Sequence, residues 1–155
     1  MAATVIGMLG RCPEADDVGQ EVFVRFYRAL SRFRGDSSLG TYLTRIAINL
    51  SLNELKRRKR RRLLFGPRDE AFPEPSHNPE EEAGARRQRQ AVVEHALARL
   101  DPKFRAVVVL RLLEGYSTEE TAEILQIPLG TALSRLARAQ KKLQELLQSY
   151  FDEEL

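Results

Sequence analysis

The sequence is poor in the residues that build most catalytic and metal sites. Its 155 residues include one cysteine, two histidines and no tryptophan. The single cysteine, Cys12, excludes an internal disulfide and a zinc site made of thiolates. Neither His77 nor His95 stands near a cysteine or a carboxylate pair at ligand spacing, so we expect no metal and no cofactor. Phosphate-loop and nucleophile-elbow motifs are also missing, which argues against an enzyme.

Long hydrophobic runs are missing as well. No apolar segment approaches the length of a membrane span. The N-terminus lacks the cationic and apolar segments of a signal peptide. We therefore expect a cytoplasmic protein without membrane insertion. The hydrophobic share of 43% is nevertheless sufficient for a packed core.

Positive charge is concentrated in the front of the chain. The formal net charge is +3, but residues 1–65 carry 13 cations against 6 acids. This imbalance indicates a polyanionic partner. Its densest part is a run of seven consecutive cations from Lys56 to Arg62. A solvated helix end is one interpretation of the run. Contact with nucleic-acid phosphates is the favoured one, because it would relieve the mutual repulsion.

Apolar residues recur at helical spacing through most of the chain, and no alternating strand pattern competes with them. This predicts an all-α fold. Between Gly66 and Gly84 the helical period is lost, and four of the seven prolines stand there among acids. That composition predicts an extended, flexible linker. We therefore expect two small helical domains, residues 1–65 and 91–155, joined by a linker at 66–90, with each domain burying its own apolar stripes.

The front domain is predicted to contain helices at about 13–30 and 41–62 after a short first helix. On the helix at 13–30, the predicted inner stripe is Val18, Val22, Phe23, Phe26, Tyr27 and Leu30. The opposite face, with Asp17, Gln20, Glu21 and Val24, is either solvated or a docking site for a partner helix. The loop FRGDSSLGTY (33–42) suits a pocket for an unstacked base, although an ordinary helix-capping loop is the simpler interpretation.

The segment from Ser117 to Lys142 has the pattern of a helix-turn-helix. Ser117 and Glu120 form a capping-box pattern, and Gly115 is predicted to end the helix before it. The next helix, opened by Pro128, carries on one side Leu129, Ala132, Leu136, Ala139, Leu143 and Leu147. The other side carries Thr131, Ser134, Arg135, Arg138, Lys141 and Lys142. This favours a helix that reads the DNA major groove, although any amphipathic hairpin with a basic face remains an alternative.

Three stretches together resemble bacterial RNA polymerase sigma factors of the small extracytoplasmic-function (ECF, group 4) type. They are DDVGQEVFVRFYRAL, FRGDSSLGTYLTRIAINLSLNEL and GYSTEETAEILQIPLGTALSRLARAQKKL. The resemblance covers residues 8–65 and 91–147 and implies a sigma-2-type bundle in front and a sigma-4-type helix-turn-helix domain behind. It implies a transcription initiation factor that binds core RNA polymerase, recognises the −10 and −35 promoter elements and helps to open the DNA.

The resemblance also assigns roles to residues and suggests partners. The contact with a coiled coil of the largest polymerase subunit would be made by Asp17, Gln20, Glu21 and Val24. The −10 element, including a flipped base, would be bound by Arg34, Ser37, Ser38, Thr41, Tyr42, Arg45, Asn49, Asn53, Lys56, Arg57 and Arg58. The −35 element would be bound by Thr131, Ser134, Arg135, Arg138, Lys141 and Lys142. The implied partners are core polymerase (coiled coil and flap region), promoter DNA and an anti-sigma factor.

Three positions depart from the family pattern. Tyr42 stands where the family usually has tryptophan, and Gln126 stands where it favours glycine in the turn. Leu133 replaces a cation beside the groove. Loss of one phosphate contact is expected to lower the log–log salt slope of DNA binding by about one unit.

Two other functions remain possible from the residues. One is a stand-alone helix-turn-helix repressor, which would need a dimer to reach useful affinity. The other is a regulator that mimics a sigma factor and binds polymerase without DNA, which the cations in both domains disfavour.

Overall fold

The computed structural model describes residues 1–35, 38–66 and 81–153, and every regular element in these ranges is helical. The predicted all-α class is therefore confirmed. Ser37 lies outside the described residues, as do residues 67–80 of the predicted linker. The helices are α1 (Ala2–Leu9), α2 (Pro13–Ala29), α3 (Leu39–Phe65), α4 (Glu81–Ala98), α5 (Pro102–Val108), α6 (Thr118–Leu125) and α7 (Leu129–Glu153). A 3₁₀ turn at Leu30–Arg32 follows α2, and a π-helical segment at Val109–Leu113 continues α5.

The helix ends follow the predicted signals with small differences. Ser38 caps α3, because its Oγ accepts a hydrogen bond from the backbone N–H of Thr41 at 3.1 Å. Pro128 caps α7 rather than opening it, since its carbonyl accepts the bond from the Ala132 N–H at 3.1 Å. Helix α4 already begins at Glu81, so residues 81–90 of the predicted linker are helical.

The apolar stripe predicted for α2 is only half buried. Val22 is fully buried, and Val18 and Phe26 are half-buried. In contrast, 58% of Phe23, 79% of Tyr27 and 51% of Leu30 is exposed. The six residues span about 180° around the helix axis at 100° per residue, which is wider than the face that one neighbouring layer can cover. The expectation that all six point inward was wrong for these three.

The two halves of the chain share one hydrophobic core, which differs from the expected separate modules. We call residues 1–66 the front half and residues 81–153 the rear half. Met8 and Ile48 of the front half pack in one cluster with Val109, Leu110 and Ile124 of the rear half, all at most 1% exposed. Burial of apolar surface stabilises a contact whichever part of the chain supplies it. The apolar helix faces of the front half and of the rear half are therefore buried partly against each other.

A second cluster belongs to the rear half alone. It is formed where α4, α5 and α7 meet, by Ala96, Leu97, Leu100, Val108, Ala139 and Leu146. This cluster fixes the long helix α7 against the rest of the rear half. The opposite side of α7 is therefore left facing solvent.

Polar contacts also join the two halves, and five are seen between described residues. The most buried is made by Arg105, which is 7% exposed and donates to the carbonyl oxygen of Met8 at 2.6 Å. The same guanidinium donates to the carbonyls of Ala98 and Leu100 at 2.9 Å each. The other four contacts are Thr4–Glu114 at 3.0 Å, Arg11–Glu94 at 3.2 Å, Thr44–Tyr116 at 3.0 Å and Arg45–Glu123 at 3.7 Å. We call this packing of the two halves the closed arrangement.

Candidate nucleic-acid interface

Helices α6 and α7 form the helix-turn-helix that the sequence predicts. The capping box is present: Ser117 Oγ accepts from the Glu120 N–H at 3.0 Å, and Glu120 Oε1 accepts from the Ser117 N–H at 3.1 Å. Gly115 has φ of 77° between the π-helical segment and this cap. Gln126 ends α6 in the left-handed region, with φ 54° and ψ 47°. This conformation is one that glycine adopts at less cost.

The cationic side of α7 faces solvent along most of its length. Ser134, Arg138, Lys141 and Lys142 are exposed, and Thr131 and Arg135 are half-buried. Arg135 lines the cleft between the two halves. An exposed row of arginine, lysine and hydroxyl groups on one helix provides forked donors for base edges and point charges for phosphates.

The apolar side of α7 differs from the prediction at its first residue. Ala132 and Ala139 are fully buried, but 43% of Leu129 is exposed. Leu129 lies in the first turn, before the helix reaches the layer of α4 and α5. Leu133, which departs from the family pattern, is 51% exposed beside the cationic row.

Helix α3 carries the second candidate DNA surface. Arg45, Asn49 and Asn53 recur every four residues, so they lie on one face that continues towards Lys56. Asn49, Asn53, Lys56 and Arg57 are exposed, as are Arg34 and Ser38 before the helix. Amide and cationic groups on one exposed face can contact both bases and backbone.

Two arginines of this predicted surface are half-buried and paired within the protein, and the exposed Arg57 lies 3.9 Å from the Glu54 carboxylate. Arg45 is half-buried and forms the ion pair with Glu123 of α6 at 3.7 Å. The Arg58 side chain is only 14% exposed; it donates to the Leu9 carbonyl at 3.3 Å and to Cys12 Sγ at 3.1 Å. Its guanidinium also lies 3.7 Å from the Glu54 carboxylate. The structure thus places Arg58 as a strut between α1, α2 and α3 instead of a free phosphate contact.

Tyr42 lies at the beginning of α3 in a small aromatic cluster. Its ring centroid is 5.0 Å from that of Phe33 and 6.1 Å from that of Phe26. Thr41 stands beside it, and its Oγ1 accepts from Ser38 Oγ at 2.8 Å. The half-buried Tyr42 ring thus lies at one end of the loop at 33–42. An aromatic ring in this place is suited to stacking on a base.

The residues predicted to bind polymerase form one solvent-facing strip on α2. Asp17, Gln20 and Val24 are exposed, and the Glu21 side chain is 44% exposed and paired with Arg25 at 3.1 Å. The exposed Phe23, Tyr27 and Leu30 lie next to this strip. Sequence reasoning missed their exposure, although the unusual width of the apolar stripe was a usable signal. Large aromatic side chains beside a polar strip are typical of protein–protein contact surfaces.

One carboxylate near the front surface titrates below its ordinary range. The pKa of Glu14 is lowered, chiefly by a hydrogen bond from its own backbone N–H in the first turn of α2. The Cys12 side chain and the positive charges of Arg58 and Arg61 lower it further. Glu14 is therefore an anion at neutral pH, and its carboxylate lies 4.0 Å from the Arg58 guanidinium.

A cleft of about 870 Å³ lies between the two halves. Its walls come from α1, α3, the end of α4, the beginning of α5, the end of α6 and Arg135 of α7. Cations dominate its charged lining: Lys56, Arg58, Lys59, Arg62, Arg99, Lys103, Arg105 and Arg135, against the carboxylates Glu94 and Asp101. Lys56 of the candidate surface on α3 and Arg135 of the candidate surface on α7 therefore line the same cleft.

Two family models match the chain. The Sigma-70 region 2 family matches residues 2–61, and the Sigma-70 region 4 family matches residues 87–143. The first match contains α1, α2 and most of α3, and the second contains the helix-turn-helix. In the described residues, no helix is long and apolar enough to cross a membrane.

Curated relatives and solved structures agree with these matches. The RNA polymerase sigma-H factor of Pseudomonas aeruginosa is 37% identical over 155 residues, covering 93% of this chain and 80% of that protein. The ECF RNA polymerase sigma-E factor of Escherichia coli is 37% identical over 144 residues, covering 87% and 74%. The structure of CnrH, solved with the cytosolic domain of CnrY, has a TM-score of 0.68 at 28% identity and covers 96% of this chain and 80% of that one. The fold is also that of the sigma factor RpoE from Bartonella quintana, solved with the anti-sigma factor NepR; its TM-score is 0.74 at 24% identity, covering 95% and 89%.

Proposed function

The chain belongs to the extracytoplasmic-function sigma factors of bacterial RNA polymerase, and we propose how its surfaces divide the work of such a factor. As a sigma factor it is a transcription initiation factor that directs core polymerase to promoters. These relatives do not favour the stand-alone repressor. We propose the cytoplasm as its location, because that is where a factor of this kind would meet polymerase and promoter DNA.

We propose that α7 reads the −35 element. The observation that carries this assignment is the exposed row of Ser134, Arg138, Lys141 and Lys142 on the second helix of a capped helix-turn-helix. Arg135 and Arg138 would fork onto guanine edges, and the two lysines would hold the backbone. Thr131 would contact bases at the beginning of the helix.

We propose that the face of α3 binds the −10 element. Asn49 and Asn53 would read bases, and Lys56 and Arg57 would contact the backbone. The loop residues Arg34, Ser37 and Ser38, together with Thr41, would border the pocket for a flipped base. Tyr42 would stack on that base, and Arg45 would join the surface once its pair with Glu123 opens. Arg58 supports this surface from behind.

We propose that the α2 strip binds the polymerase core. Asp17, Gln20, Glu21 and Val24 supply its polar part, and the exposed Phe23, Tyr27 and Leu30 supply apolar area beside it. A polar strip with large aromatic neighbours fits a partner helix such as one strand of a coiled coil.

Pull-down with core polymerase tests this last assignment. The charge reversal Asp17→Arg with Glu21→Arg should abolish binding, because it removes both acids from the strip. A matched control, Glu145→Arg with Asp152→Arg on the far end of α7, changes the net charge by the same amount and should bind normally. Undiminished binding by the first variant would remove the α2 strip from the polymerase contact.

Run-off transcription with core polymerase on a promoter library tests the DNA assignments. Arg138→Ala should lower transcription through the −35 position that it reads, with a cost of about 1–3 kcal/mol in DNA binding. Arg86→Ala, an exposed arginine of α4 outside both surfaces, is the control. Unchanged base preference in the Arg138 variant would contradict the groove-reading role of α7.

We also propose an anti-sigma factor as a partner of this chain. The solved RpoE structure contains such a factor, and CnrH was solved with the cytosolic domain of CnrY. Exposed apolar and cationic surfaces that are useful only in the polymerase complex are suited to being covered in its absence. Co-purification with the products of neighbouring genes tests this proposal; transcriptional activity that persists with no co-purifying protein would contradict it.

A further inference from the structure

The cleft between the two halves gathers several cations that form no ion pair among the described residues, although Lys103 Nζ lies 5.0 Å from the ring centroid of its neighbour Phe104. Arg58 and Arg105 are engaged by backbone and side-chain acceptors, and Glu94 is paired with Arg11. Within the described ranges, five of the lining cations form no ion pair: Lys56, Lys59, Arg99, Lys103 and Arg135. Closing the two halves therefore brings like charges from α3, α5 and α7 together with little compensation.

The volume and the lining of the cleft suit a small ligand. Its volume of about 870 Å³ is in the range of sites for single cofactor-sized molecules. Apolar side chains line it as well, among them Leu52 and Leu55 of α3, Leu100, Pro102 and Leu125. Such a site pairs an apolar wall for a planar ring with several cations for a charged group.

We propose that this cleft binds a small ligand with a chain of phosphates, either a nucleotide polyphosphate or an inorganic oligophosphate, and that the ligand stabilises the closed arrangement. The phosphates lie among Lys56 and Lys59 on one wall and Lys103 and Arg135 on the other. Several phosphate oxygens can accept charge-assisted hydrogen bonds from both halves at once. A ligand that bridges the halves binds the closed arrangement in preference to any opened one.

The regulatory consequence rests on the proposed function. The −10 and −35 elements are about 25 base pairs apart, or about 85 Å of DNA at 3.4 Å per base pair. In the closed arrangement Arg45 of the −10 face touches Glu123 of the helix-turn-helix at 3.7 Å. The closed arrangement therefore cannot contact both elements. At a ligand concentration 100 times its dissociation constant, the ratio of closed to open molecules rises about 100-fold.

Calorimetric titration of the full chain with tripolyphosphate, ATP and AMP tests the site. Tripolyphosphate and ATP are expected to bind and AMP to bind at least 10-fold more weakly; tighter binding of ATP than of tripolyphosphate identifies the nucleotide as the preferred source. Lys59→Gln with Lys103→Gln should weaken binding about 10-fold per cation. The control Arg86→Gln with Arg87→Gln removes the same charge from exposed positions of α4 outside the cleft. No binding at physiological salt, or equal weakening by the control, would overturn the site.

A second measurement tests the effect on the closed arrangement. Fluorophores at Ser31→Cys and Gln148→Cys, in a Cys12→Ser background, report the distance between the halves by energy transfer. Tripolyphosphate or ATP should raise the high-transfer fraction in this protein and not in the Lys59→Gln, Lys103→Gln form. Binding without this change would refute the regulatory part. Promoter-DNA binding by the chain together with core polymerase, measured without any nucleotide or oligophosphate, tests the proposed function by itself, so the two failures can be told apart.

Discussion

Gly7 offers a one-methyl test of the packing between the two halves. A Cβ atom at this position would stand 3.0 and 3.2 Å from the two γ-methyl groups of Val109 and 3.7 Å from Leu113. Val109 is fully buried and its branched side chain has little rotamer freedom, so it cannot turn away. Such crowding costs about 1–3 kcal/mol. Replacing a helical glycine by alanine gains about 1 kcal/mol. Gly7→Ala should therefore lower the free energy of unfolding by about 1 kcal/mol net.

Gly19 of α2 is the matched control, because a Cβ there would meet no atom within 4 Å. Gly19→Ala should raise the free energy of unfolding by about 1 kcal/mol through helix propensity alone. Urea denaturation followed by circular dichroism measures both variants. In a Val109→Ala background the penalty at Gly7 should vanish, and that coupling identifies the contact. Equal stabilisation by both alanines in the unmodified chain would refute the closed arrangement.

Three further predictions concern single residues. Leu133→Lys should tighten binding to −35 DNA and steepen the log–log salt slope of binding by about 0.9, because it adds a cation beside the groove. DNA titrations at several salt concentrations measure the slope, and an unchanged slope would contradict the prediction. Gln126→Gly should change the free energy of unfolding by less than about 1 kcal/mol or raise it, since relief of the strain in the left-handed conformation outweighs or balances the entropy cost of glycine. Thermal unfolding measures the change, and a loss of more than about 1 kcal/mol would contradict this balance. Glu14→Gln should cost a few tenths to about 1 kcal/mol at neutral pH. Because the pKa of Glu14 is lowered by folding, its contribution is present above its ordinary pKa and is lost as pH falls through the folded value. The difference in the free energy of unfolding between the unmodified protein and the Glu14→Gln variant should therefore shrink as the pH is lowered. A difference that stays constant with pH would contradict the lowered pKa of Glu14.

Local signals predicted the helices well, because each end depends on residues next to one another in the chain. The beginning of the helix-turn-helix was predicted from the capping box of Ser117 and Glu120 and from Gly115 before it, and the structure contains both features. The cationic row of α7 followed from the 3.6-residue period, since one side of that helix covers the rear core.

The packing of the two halves could not be predicted in this way. Periodicity shows that Phe23 and Val22 are near one apolar face, but only the neighbouring layer decides which of them is covered. Arg58 was predicted to contact DNA, and no local signal marked Arg105. The burial of both depends on carbonyl groups supplied by distant segments. The Gly7 contact with Val109 joins residues about a hundred positions apart, and no spacing rule reaches that far.

The buried guanidinium of Arg105 sets a limit on how this protein can be dissected. It donates to the carbonyl of Met8 in the front half, and Val109, Leu110 and Ile124 of the rear half pack in one cluster with Met8 and Ile48. A fragment cut between residues 66 and 81 would leave Met8 and Ile48 in water on one piece and, on the other, an arginine that has lost the Met8 carbonyl as an acceptor. Neither fragment then behaves as the same residues do in the whole protein. A binding affinity measured on one fragment will include the free-energy cost of exposing the surface that the other half covers.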